Sequence, residues 1–104
     1  MRDKIPDLIV QSGRTPRVVV LDEDSFRIAL QQKLFEEANE LQLAGSAQAL
    51  VEEAADVLEV LMALVGSYGT SLDTITAAAQ AKRAERGGFE MRLWLESIEP
   101  GTPR

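Results

Sequence analysis

Seven carboxylates crowd two short stretches of this chain. The first, Lys33-Leu34-Phe35-Glu36-Glu37-Ala38-Asn39-Glu40-Leu41, carries three of them. The second, Glu52-Glu53-Ala54-Ala55-Asp56-Val57-Leu58-Glu59, carries four. Residues three or four apart share a helix face, so Glu37 and Glu40 point the same way, as do Glu53 and Asp56. Glu36 with Glu40, Glu52 with Asp56, and Asp56 with Glu59 are same-face pairs too, and spacing alone leaves the register open. Two apolar lines run close to these acids. Leu30, Leu34 and Leu41 pass through Glu37, and Leu50, Val57 and Leu61 pass beside Glu53. A carboxylate in an apolar line is costly to bury, more so beside a like charge. A divalent cation relieves both costs, and all-oxygen ligation suits Mg²⁺ or Mn²⁺. The competing reading is a pair of solvated acidic faces, with Lys33 pairing to Glu36 or Glu37.

What is missing narrows the chemistry further. The 104 residues include no cysteine and no histidine. Thiolate metal sites, disulfides, Ser-His-Asp triads and imidazole acid–base chemistry are all excluded. Catalysis must come from carboxylates, lysine, arginine, hydroxyls or a hard metal ion. A net charge of −6 argues against a duplex nucleic acid partner. The longest apolar run, residues 57–65, contains Glu59 and is too short to span a membrane. The N-terminus lacks a signal-like apolar stretch, so a cytoplasmic protein is expected.

A basic set lies near the other end. Leu72, Ile75 and Ala79 form a helical stripe whose next steps are Lys82 and Arg86, with Arg83 adjacent. Cations at a helix C-terminus complement its dipole. They are equally suited to binding phosphate beside an acidic metal cluster, with Gly87-Gly88 bringing backbone N–H groups close. Among the few aromatics, Phe35, Phe89 and Trp94 are candidates for stacking on a base, though core packing suits the phenylalanines.

The elements that must position these groups read as mainly α. Asp22, Ser25 and neighbouring acids open a helix over about 24–43. Gly45-Ser46 turns the chain into a second helix over about 47–65, closed by Gly66 and Gly69. The two make an antiparallel hairpin. Thr70-Ser71-Leu72-Asp73 starts a third helix that runs to about Arg86. Residues 5–10 form a helical turn or a packed arm. Residues 17–21 and the alternating residues 89–96 read as two short strands able to pair. The helix over 47–65 is apolar around most of its circumference, which calls for neighbours on all sides. A homodimer or homotetramer completing a four-helix-bundle core is therefore expected. Residues 1–98 form one domain and 99–104 a flexible tail.

Taken together, these pieces resemble the all-α nucleoside triphosphate pyrophosphohydrolases. This is the MazG-like superfamily, and the phosphoribosyl-ATP pyrophosphohydrolase-like branch fits best. Arg2-Asp3-Lys4-Ile5-Pro6, the E-x-x-E and E-x-x-D helices, and Lys82-Arg83 through Glu85-Arg86-Gly87-Gly88-Phe89 occur in the family order. The resemblance selects Glu37, Glu40, Glu53 and Asp56 as Mg²⁺ ligands. It implies cleavage of a small-molecule nucleotide between its α- and β-phosphates, to a monophosphate and pyrophosphate. Glu36 and Glu37 would be the catalytic carboxylates, Glu36 orienting water. Lys4, Lys82, Arg83 and Arg86 would bind substrate. The alternatives are a non-catalytic nucleotide- or metal-binding module and a structural helical interaction protein.

Overall fold

The computed structural model describes residues 1–102. Its order is α1 (Ile5–Gln11), α2 (Glu23–Gln42), α3 (Ala47–Ser67) and α4 (Leu72–Arg86). Local chemistry accounts for each boundary. Pro6 sits in the first turn of α1, where its missing N–H costs nothing, so the arm over 5–10 is a helix. Asp22 caps α2, its carboxylate accepting from the Ser25 N–H at 2.8 Å. Ser46 Oγ accepts from the Ala49 N–H at 3.1 Å, and Ser71 Oγ from the Thr74 N–H at 3.3 Å, opening α3 and α4. Helix α3 continues through Gly66 to Ser67 and ends before Gly69, whose φ of +75° a side chain would resist. Gly66 is thus not the terminator, because a single glycine in a packed helix is only mildly unfavourable.

Helices α2 and α3 pack along their lengths as an antiparallel hairpin. Arg27, near the start of α2, holds the end of α3. Its guanidinium donates to the Ser67 carbonyl, lies 3.4 Å from Ser67 Oγ, and stacks 4.2 Å from the Tyr68 ring centre. At the opposite end Glu40 meets Glu53. Helix α4 touches only α3, and only narrowly.

The two expected strands are absent from the described residues. Residues 17–21 are irregular because a strand needs a paired neighbour to satisfy its backbone, and none lies beside them. The run over 89–96 is interrupted by a turn. The Arg92 N–H donates to the Phe89 carbonyl at 3.1 Å, and Arg92 adopts φ 58°, a left-handed conformation that breaks an extended chain. Residues 99–102 of the expected tail are exposed and irregular, and 103–104 lie outside the described residues. Among the described residues, no helix is long and apolar enough to cross a membrane.

No hydrophobic side chain is fully buried within one described chain. The radius of gyration is 19.6 Å, against about 13 Å for a compact domain of this length. The accessible surface is 9567 Å², where a folded monomer of this mass exposes about 5,800 Å².

Candidate functional site

One residue among those described is buried, and it is an acid. Glu37, on the α2 face packed against α3, retains 6% of its surface. Lys33, one turn earlier, puts Nζ 3.2 Å from Glu37 Oε1 and 3.3 Å from Glu36 Oε2. This pairing raises the Lys33 ammonium above its ordinary value, the bond to Glu37 contributing most and that to Glu36 next. It offsets the burial of one Glu37 oxygen. The other, Oε2, is buried without a hydrogen-bond partner, and so is Oε2 of half-buried Glu53 on α3.

Glu37, Glu40 and Glu53 each place a carboxylate oxygen within 4.8 Å of the other two. Glu40 feels this crowding. Its carboxyl is pushed above the ordinary range, first by the charge of Glu37 and then by that of Glu53. Three carboxylates that converge on one point, two of them carrying a buried partnerless oxygen, suit a hard divalent cation. An ion there would supply the missing partners and neutralise the repulsion.

Asp56 stands apart from this trio. One turn beyond Glu53, it accepts a hydrogen bond from the Arg2 guanidinium at 2.7 Å, across 54 residues of sequence. Both side chains remain substantially exposed, 60% for Arg2 and 40% for Asp56. Glu36 is exposed and held by Lys33 on the outer flank of the trio. Glu52 and Glu59 are exposed on other faces of α3.

The basic residues are placed differently from the acids. On α4 the apolar stripe is half-buried only at Leu72 and Ile75; Ala79, Lys82, Arg83 and Arg86 are exposed. Among the described residues, none of these three cations makes an ion pair with the acidic group, and neither does exposed Lys4. The continuation of the stripe is therefore not an inward-facing line within one chain, because α4 leaves α3 soon after its first turn. Arg2 and Lys33 are the cations that touch the site. Lys33 is legible from its i,i+4 spacing to Glu37. The Arg2 contact carries no local sequence signal.

The phosphoribosyl-ATP pyrophosphohydrolase family matches residues 10–83. That span includes the whole α2–α3 hairpin, all four carboxylates, Lys82 and Arg83. An uncharacterised protein of Mycolicibacterium smegmatis (strain ATCC 700084 / mc(2)155) is 46% identical over 52 residues. The shared region is 50% of this chain and 53% of that relative, so the chain spans about half the length of the curated relative it matches. No solved structure matches significantly. With the family match covering well over half of the sequence and centred on the acidic hairpin, the chain belongs to the phosphoribosyl-ATP pyrophosphohydrolase family of the MazG-like all-α superfamily, a family of hydrolases acting on phosphoric anhydride bonds.

Proposed function

We propose that this protein is a Mg²⁺-dependent nucleotide pyrophosphohydrolase, with Mn²⁺ as an alternative ion. It cleaves a nucleoside triphosphate, or a phosphoribosyl-ATP-like compound, between the α- and β-phosphates. The observation that carries this reading is the convergence of Glu37, Glu40 and Glu53, with two buried partnerless oxygens, inside the family-matched hairpin. Glu37, Glu40 and Glu53 would hold the ion, and Asp56 joins them on release from Arg2. When bound, the ion supplies charge neutralisation at the phosphate oxygens and lowers the pKa of bound water.

The side chains have separate duties in the reaction. Water adds to phosphorus, the P–O–P bridge breaks, and pyrophosphate leaves. Glu36, exposed on the flank of the trio, orients the water and accepts a proton from it. Glu37, one oxygen held by Lys33, would present its other, partnerless oxygen to the ion. Lys82, Arg83 and Arg86 bind phosphate, with Lys4 as a further contact, each adding charge-assisted hydrogen bonds.

Oligomerisation belongs to the same proposal. The surface exceeds that of a compact monomer by about 3,800 Å², which is ample for a homodimer or a homotetramer. A second chain offers the missing neighbours for α3 and brings another set of α4 cations within reach of the assembly.

The test is a panel of nucleoside triphosphates incubated with Mg²⁺ or with EDTA, products separated by chromatography. The expected result is monophosphate and pyrophosphate with Mg²⁺ only. Glu37→Gln should abolish turnover. Lys82→Ala and Arg86→Ala should each weaken substrate binding by roughly 1.5–3 kcal/mol while changing stability by less than about 1 kcal/mol. Tight binding of unchanged nucleotide would instead identify a binding module. Indifference to both nucleotide and Mg²⁺ would leave a structural role.

A further inference from the structure

Two apolar segments of this chain have unsatisfied backbones, and their properties match. Residues 17–21, Arg-Val-Val-Val-Leu, are β-branched and exposed, Val20 at 94%. Residues 93–98, Leu-Trp-Leu-Glu-Ser-Ile, are mostly apolar and equally bare, with Leu93 at 80% and Trp94 at 88%. Neither segment makes a backbone hydrogen bond to any other part of the described chain. Both carry free N–H and C=O groups flanked by apolar side chains, the template on which strands pair.

Position decides where the partner comes from. Residues 18–21 line one wall of a groove of about 480 Å³, completed by Pro6, Phe26 and Leu30, with Arg2 and Lys33 also lining it. No residue of 93–98 lines that groove; the segment follows α4, which touches α3 only narrowly, in a particle 74 Å long. Charge is complementary as well. Residues 1–21 hold Arg2, Lys4, Arg14 and Arg17 against Asp3 and Asp7, whereas residues 87–102 hold Glu90, Glu96 and Glu99 against Arg92.

We infer that residues 93–98 of one chain add as a strand to residues 17–21 of a second copy, an exchange of C-terminal arms that closes the groove. The exchange satisfies both backbones, buries Leu93 and Leu95 against the groove wall and seats the acidic arm on the basic one. The turn at Phe89–Arg92, with Arg92 at φ 58°, is the elbow from which the arm starts. Two residues that line the groove reach the acidic site, Arg2 to Asp56 and Lys33 to Glu37, so the partner's arm also packs beside that site. This surface is independent of the proposed hydrolysis and stands or falls without it.

Amide hydrogen exchange on the full-length protein tests the pairing. Amides of Val18 to Leu21 and of Leu93 to Glu96 should be slowed by about 100-fold or more relative to unstructured peptide. Exchange at the unstructured rate in either segment would overturn the inference. The exchange between chains is tested separately, with full-length chains carrying Val19→Cys alone or Leu93→Cys alone, mixed during refolding and treated with a bis-maleimide of about 10 Å reach. A linked dimer of one chain of each kind, formed only in the mixture, is the expected result. Protected amides with no mixed linked dimer would place the pairing within one chain and overturn it.

Discussion

The Arg2 guanidinium reaches across 54 residues to bind Asp56 at 2.7 Å, and this contact separates Asp56 from the three glutamates one turn away. Both partners are well exposed, so the pair contributes no more than about 1 kcal/mol to stability. Asp56→Asn should therefore melt within a few degrees of the wild type without metal. It should lose a large part of the Mg²⁺-induced rise in melting temperature, because the fourth carboxylate can no longer move from Arg2 to the ion. Melting curves with and without Mg²⁺ at matched ionic strength check this. A variant that keeps the full Mg²⁺ effect limits the ligand set to Glu37, Glu40 and Glu53.

Glu37→Gln should bring Glu40 back toward ordinary carboxylate behaviour. The raised pKa of Glu40 originates first in the Glu37 charge, and Glu53 maintains a smaller elevation once that charge is gone. The folded state binds more protons than the unfolded state between the unfolded value of 4.5 and the raised folded value. Stability of the metal-free wild type thus falls as pH rises through that window, and the slope shrinks in the variant. Carboxyl ¹³C titration by NMR reads the Glu40 shift directly.

Arg27 should prove to be the main fastener between the start of α2 and the end of α3. Its side chain is 23% exposed and combines the Ser67 carbonyl, Glu23 and the Tyr68 face. Arg27→Ala is expected to cost roughly 1.5–3 kcal/mol, from a charged hydrogen bond and a cation–π contact. Arg27→Lys should restore less than half, since an ammonium lacks the planar fork that serves all three partners. Urea unfolding at one fixed protein concentration measures both variants.

Asp22 should give the protein an acid-sensitive cap. Its carboxylate is held below the ordinary value of 3.8, chiefly by the Ser25 backbone N–H and then by the Ser25 side chain. The depressed value contributes stability that is present above pH 3.8 and lost as pH falls through the folded value. Asp22→Asn keeps a capping oxygen, so it should melt near the wild type at pH 7 yet lose this part of the acid dependence. Asp22→Ala should melt lower at both pH values. Melting temperatures of the three proteins between pH 3 and 7 distinguish them.

Local chemistry decides where α2, α3 and α4 start, and so those starts are legible residue by residue. Asp22, Ser46 and Ser71 name their own caps, Gly69 and Gly87 mark exits by their left-handed freedom, and Glu37 stands conspicuously in an apolar line. The i,i+3 spacing of the acids needs only helix geometry to put each pair on one face. Which of those acids meet across the hairpin depends on register, a property of packing between helices. Only the folded pair places Glu53 beside Glu37 and Glu40 and leaves Asp56 to Arg2. The strands show the limit most clearly. Residues 17–21 have the composition of a strand, but strand formation is a relationship between two segments, and within one described chain the second segment is not there. The cations of α4 follow the same logic. Their helical stripe was correct as periodicity, but periodicity does not say what faces it, and α4 leaves α3 before Lys82 and Arg86 reach anything to contact.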